Sequence, residues 1–107
     1  MTKSSFKLYE VFFKTISNET RFEIVRLLTN GPKSVNAISK ALNYEQSRVS
    51  HNLKRLECYG FIICESKGKE RIYSIDKKSH ITEIIKEVDK YIMKYNKRLK
   101  ECMDHSN

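Results

Sequence analysis

Proline is almost absent from this chain and glycine is scarce, with one Pro and three Gly among 107 residues. All four sit at junctions between patterned segments. That leaves no room for a flexible linker and predicts one compact domain over residues 1–107. There is no internal repeat. No stretch approaches the ~18 consecutive apolar residues that a membrane helix needs, so no membrane partner is expected. Lys7, Glu10 and Lys14 interrupt the apolar residues near the start, so no secretory leader is expected either. The three cysteines, Cys58, Cys64 and Cys102, lack the spacing of a disulfide framework. They read as thiols in a reducing compartment, which predicts a cytoplasmic protein. No Ser-His-Asp constellation, phosphate-cradling glycine loop or paired-carboxylate cleft is legible. An enzyme is therefore not expected, nor a cofactor or a small-molecule substrate. Acidic residues are in short supply, 13 against 21 Lys and Arg, giving a formal net charge of +8 and a pI near 9.5. Such an excess is a footprint for polyanions, nucleic acid more often than an anionic membrane.

What is present is helical periodicity. Residues 1–4 read as a frayed tail. Ser5 to Ile16 reads as a helix with Phe6, Tyr9, Phe13 and Ile16 at three- and four-residue spacing and Leu8 and Phe12 alongside. Asn18 suits the N-cap of a second helix to Asn30, which Gly31 and Pro32 stop. Ser34 suits the cap of a third, Val35 to Leu42, and Asn43-Tyr44-Glu45 is a tight turn into a fourth. Tyr44 is placed to staple onto Val49. After Gly60, Phe61 to Glu65 and Arg71 to Ile75 read as two strands joined by a turn with Gly68 at its tip. Ser79 suits the cap of a long last helix to about Met103. Its stripe of Ile81, Ile84, Ile85, Val88, Ile92, Tyr95 and Leu99, with Tyr91 beside it, is close to heptad spacing.

The fourth helix, Gln46 to Gly60, is unusual on its outer side. Val49, Leu53 and Leu56 make a thin apolar face. Ser47, His51, Lys54 and Cys58 lie opposite, flanked by Arg48, Ser50 and Arg55. A solvated face usually alternates Lys and Glu; this one offers amide, hydroxyl, imidazole and guanidinium groups that can bond to base edges. On this helix alone an ordinary amphipathic surface helix remains open. Its neighbours decide: two short helices across a tight turn form a helix-turn-helix, and a basic hairpin directly after it forms a wing. The fold class expected is mainly α with a small β-hairpin, a winged helix-turn-helix of about five helices. Double-stranded DNA is the expected partner, with Gln46, Ser47, Arg48, Ser50 and His51 reading bases and Lys54, Arg55, Lys67, Lys69 and Arg71 holding phosphates. The first and last helices carry more apolar surface than so small a unit can cover. A second copy of the chain would cover it through Phe6, Tyr9, Phe13, Ile84, Val88, Tyr91, Ile92, Tyr95 and Leu99.

These residues carry a resemblance. Asn18-Glu19-Thr20-Arg21, the Val35, Ile38, Ser39 and Leu42 spacing, Gln46-Ser47-x-Val49-Ser50-His51-x-Leu53-Lys54-x-Leu56, Gly60-Phe61-Ile62 and Ile72-Tyr73-Ser74-Ile75 together resemble the ArsR/SmtB family over about residues 15 to 76. The resemblance implies a dimeric winged-helix repressor. Its helix from Gln46 would lie in the major groove, its wing on the flanking backbone, and its two copies on an inverted repeat. It also exposes departures. Metal-sensing members often carry Cys-x-Cys in the third helix, where this chain has Val35-Asn36-Ala37. The ligand positions that other members place at the last helix fall here on Lys78, His80, Tyr91 and Lys94. Ammonium groups oppose a cation there, so no metal role is assigned to any residue. Glu45 stands where the family usually has a capping Ser, and caps more weakly. Cys58, outward-facing beside Lys54 and Arg55, is the one thiol-sensing candidate, weighed against a reading in which Cys64 packs in the hairpin and Cys58 and Cys102 are incidental. His51 reads as a DNA contact or a solvated residue, His80 as solvated near a helix start, and His105 as part of a disordered tail.

Overall fold

The computed structural model describes residues 2–106. Helix α1 (Lys3–Ile16) begins two residues earlier than its apolar pattern, because Thr2 caps it by accepting the Ser5 amide at 3.2 Å. The expected tail at 1–4 is thus corrected, Met1 lying outside the described residues. Helix α2 (Glu19–Leu28) is capped by Asn18, whose carboxamide oxygen accepts the Arg21 amide at 3.0 Å. It stops two residues short of Asn30. A short strand β1 (Lys33–Ser34) precedes α3 (Val35–Leu42), which Ser34 caps as expected. Asn43 then turns the chain in the left-handed region at φ 57. Helix α4 (Gln46–Cys58) follows. It ends at Cys58 because Gly60, at φ 82, reverses the chain. The Phe61 amide bonds the Leu56 carbonyl and the Gly60 amide bonds the Glu57 carbonyl. That pair is the Schellman closure, and it needs a residue free to take positive φ.

Strands β2 (Ile62–Lys67) and β3 (Glu70–Ile75) form the hairpin. The ladder runs to Lys67↔Glu70, so only Gly68 and Lys69 connect the strands. Gly68 at φ 62 occupies the position that a two-residue hairpin turn reserves for glycine. The hairpin is therefore longer and its turn tighter than the sequence suggested. A third strand was not anticipated. β1 pairs with β3 through Lys33↔Tyr73 and Ser34↔Ile72, giving the order β1-β3-β2. Two residues are too few for a period-2 pattern to register.

One core unites these parts. Ile24, Val25 and Leu28 of α2, Ile38 of α3, Val49, Leu53 and Leu56 of α4, and Phe61, Ile62 and Tyr73 of the sheet are all buried. Ile81 and Ile85 anchor the start of helix α5 (Ile81–Ser106) against it. A one-turn 3-10 helix (Lys77–Ser79) capped by Asp76, then His80 at φ 57, leads into α5, whose Ile81 amide the Ser79 hydroxyl accepts at 3.2 Å. His105 is helical, not part of a disordered tail.

The long helix leaves the body. At 1.5 Å per residue it spans roughly 39 Å. The molecule measures 51 × 35 × 23 Å, with a radius of gyration of 15.8 Å, against about 13 Å for a compact chain of this length. A forked ion pair, Arg26 Nη1 and Nη2 to Asp89 at 3.2 and 2.6 Å, fastens α5 to α2. The Arg26 bond holds the Asp89 carboxyl below its ordinary range. Past that point no described residue of α5 is buried. Among the described residues no helix is long and apolar enough to cross a membrane.

Candidate nucleic-acid interface

Helix α4 is held by its apolar side and presents the rest. Val49, Leu53 and Leu56 are fully buried, while Gln46, Ser47, Arg48, His51, Lys54, Arg55 and Cys58 are exposed and Ser50 is half-buried. Glu45 makes no side-chain capping bond, yet the helix starts at Gln46 all the same, with the Val49 amide bonded to the Glu45 carbonyl.

The structure gathers residues that are distant in sequence. Gln46 donates through Nε2 to Asn36 Oδ1 at 2.7 Å, which orients its amide at the first turn of the helix. A cleft beside it is lined by Ser34, Val35, Asn36 and Gln46 and by Lys69, Glu70 and Arg71 of the wing. A base-reading candidate and two phosphate candidates therefore share one notch. Lys67 lies further round the wing turn and is exposed. Arg71 also donates from Nε to Cys64 Sγ at 3.4 Å. Cys64 is partly buried against the core, in line with a packing role. Burial, then the bond with Cys64, pushes the Tyr73 phenol above its ordinary range.

Arg48 does not reach outward. Its Nε and Nη2 both donate to Thr20 Oγ1, at 3.1 and 2.6 Å, and its guanidinium lies 4.0 Å from the centre of the Tyr44 ring. Tyr44 in turn donates to the Glu23 carboxylate at 3.0 Å. Partial burial, then that carboxylate, holds its phenol above the ordinary value. One turn along α4, Asn52 is buried. Its Oδ1 accepts Arg21 Nη1 at 3.1 Å and its Nδ2 donates to the Arg48 carbonyl at 2.9 Å. Arg21 also donates from Nε to the Thr15 carbonyl at 2.7 Å and from Nη2 to the Lys14 carbonyl at 3.4 Å. Burial, then Arg55 nearby, lowers the Arg21 pKa, though a guanidinium keeps its charge. Two successive turns of α4 are thus bonded to adjacent residues of α2. Pattern reading missed Asn52, because a polar residue beside an apolar stripe gives no sign of burial.

The remaining candidates sort simply. Phe6, Tyr9, Phe13, Ile84, Val88, Tyr91 and Ile92 are exposed, and Tyr95 and Leu99 are half-covered within the chain. Phe12, by contrast, turns inward and meets the Phe61 ring at 5.5 Å. The Lys78 backbone amide donates to the capping Asp76 carboxylate, and His51 and His80 are exposed. None of the three cysteines is in a disulfide. Among the described residues no three His, Cys, Asp or Glu side chains converge to hold a metal ion.

Helix α3, the Asn43 turn, α4 with its polar outer face, and the hairpin braced by β1 define a winged helix-turn-helix. Residues 18–63 match the family model described as bacterial regulatory protein, arsR family. The chain belongs to that family of transcriptional regulators. It is 30% identical over 74 residues to the HTH-type transcriptional regulator NmtR of Mycobacterium tuberculosis, covering 69% of this chain and 61% of the relative's length. The fold is similar to that of HlyU from Vibrio cholerae, with 26% identity, a TM-score of 0.68, and 82% and 97% of the two chains covered. It is also similar to a homodimeric winged helix-turn-helix DNA-binding domain from Mycobacterium bovis, with 21% identity, a TM-score of 0.70, and 89% and 93% covered.

Proposed function

We propose that the chain is a homodimeric, sequence-specific repressor that binds an inverted-repeat operator in double-stranded DNA. This activity belongs to a cytoplasmic protein and is binding, not catalysis. The observation that carries the reading is the shared notch, where the polar first turn of α4 meets Lys69 and Arg71 of the wing. Gln46, Ser47, Ser50 and His51 read base edges from the groove. Lys54, Arg55, Lys67, Lys69 and Arg71 hold phosphates. Arg48, expected as a fifth reader, braces the helix through Thr20 and Tyr44. The uncovered apolar faces of α1 and α5 support the dimer, and the Mycobacterium bovis domain of like fold is itself homodimeric.

Binding curves across a salt series test the division of labour. Gln46→Ala costs about 1–3 kcal/mol on the operator and blurs the preference at one position. Lys69→Ala weakens all sequences alike and lowers the salt slope by about 1. Uniform weakening by both removes the assignment of readers. Affinity without sequence preference would instead indicate a nucleoid-type binder, and little affinity at all an assembly module.

The signal follows from the same residues. Lys78 and Lys94 disfavour a cation at the last-helix positions, so zinc leaves operator affinity unchanged. Cys58 is exposed at the end of α4. Thiol oxidation or a soft thiophilic metal weakens binding modestly there, by adding bulk to the outward face of the same helix. Titrations of the wild type and Cys58→Ser with zinc, a soft metal and an oxidant decide the matter. A strong zinc response, or a thiol response that survives Cys58→Ser, overturns this account.

A further inference from the structure

Asn52 is a polar residue in a place where stability favours an apolar one. It is buried, adjacent to Leu53 and one turn from Val49 and Leu56. Replacing buried polar groups by well-packed apolar ones is often neutral or stabilising, so retaining one suggests a gain in specificity. What Asn52 gains is a bond to Arg21. The guanidinium is a rigid planar fork with donors in fixed directions. Here it spends them on two elements at once, from its seat in α2: the Lys14 and Thr15 carbonyls in the last turn of α1, and Asn52 in the middle of α4. Carbonyls of a last helical turn lack the next turn's amides; besides Arg21, the Lys14 carbonyl receives only the Ser17 hydroxyl among the described residues, at 3.4 Å. One group therefore fixes the end of α1 relative to α4.

We infer that the Arg21–Asn52 tie sets the angle between α1 and the recognition helix, and so the spacing of DNA half-sites that the protein accepts. The second part rests on the homodimeric reading above. If α1 belongs to the dimer seam, its angle to α4 determines how far apart and how rotated the two recognition helices stand. A dimer with rigid arms accepts one half-site separation; a dimer with loose arms accepts several. Arg21 and Asn52 touch no base in this account. They are positioning residues.

Two measurements on the full chain separate the tie from its consequence. In the first, spin labels at Lys7→Cys and Lys54→Cys, with the three native cysteines replaced by serine and the labelled chain diluted in unlabelled chain, report the α1–α4 distance. The wild-type background gives a narrow distribution and Asn52→Leu a broad one. Asn52→Asp stays narrow, because its carboxylate still accepts from Arg21, now as a charged pair, although the bond to the Arg48 carbonyl is lost. A narrow distribution in Asn52→Leu, or one equally broad in Asn52→Asp, overturns the tie. In the second, an operator selected from randomised DNA is rebuilt with its half-sites one base pair closer and one further apart. Wild type and Asn52→Asp discriminate against both by about tenfold or more. Asn52→Leu binds the selected spacing more weakly and the shifted ones as well or better, so the ratio falls towards unity. A merely structural loss would lower all three in parallel, and that result overturns the link to spacing. If the distance broadens while the wild type selects no operator, the tie stands and the DNA-binding reading fails.

Discussion

Val88→Asp combined with Ile92→Asp yields a folded monomer whose operator affinity is lower by on the order of 10²–10⁴-fold. The argument begins with exposure. Val88 and Ile92 are 45% and 44% exposed, one turn apart on α5, beyond the last residue of that helix to be buried. Neither contributes to the core of the chain, so the substitutions leave the winged body intact. In a dimer the same side chains are covered, and each carboxylate would be stripped of water without a partner. Association then fails, and a grip on two half-sites becomes a grip on one. Sedimentation and operator titration check both parts, with circular dichroism as the control for folding. A wild-type chain that sediments as a monomer at micromolar concentration would remove the premise. A double variant that binds as tightly as the wild type would remove the conclusion.

Much of this architecture was legible because its signals are local. Asn18 and Ser34 cap the helices they were expected to cap, and both bonds are made. The stripe of Val49, Leu53 and Leu56 identifies the buried side of α4 without ambiguity. Ile81 and Ile85 separate from the other stripe residues of α5 only in three dimensions, where the body of the fold reaches them and ends. The misses lie outside those patterns. β1 is a strand only because Ile72 and Tyr73 lie beside it. The early start of α1 depends on a threonine cap just outside the apolar pattern.

The candidate site divides along the same line. Which residues of α4 face outward follows from helical geometry, but what they are bonded to does not. Arg48 and Gln46 looked equivalent as outward polar residues. Gln46 stays at the notch beside the wing, whereas Arg48 folds onto Thr20 and Tyr44. Thr20 and Arg21 entered the sequence reading only as part of a family motif. Their bonds to Arg48 and Asn52 supply a physical reason for that motif: they hold the recognition helix against α2 at two successive turns.

Leu53→Ala is expected to destabilise the fold by about 2–5 kcal/mol. Leu53 is wholly buried at the centre of α4, the helix against which α2, α3 and the sheet all pack. Shortening it removes apolar contact and leaves a cavity that helices tied at several points cannot close. Against a total stability of ~5–15 kcal/mol for a typical domain, this is a large share. With a urea dependence of roughly 1–3 kcal/mol per molar, the unfolding midpoint falls by on the order of 1–5 M. Leu8→Ala is the matched control. Leu8 is 75% exposed on α1, and the same chemical change there is worth within about 0.5 kcal/mol. The pair also tests how α4 works. Its outer face is untouched in Leu53→Ala, so the fraction that remains folded should prefer the same operator sequence while the total binding activity declines. Equal midpoints for the two variants would mean that the core is not centred on α4. A changed sequence preference in Leu53→Ala would mean that the outer face depends on how the inner one is packed.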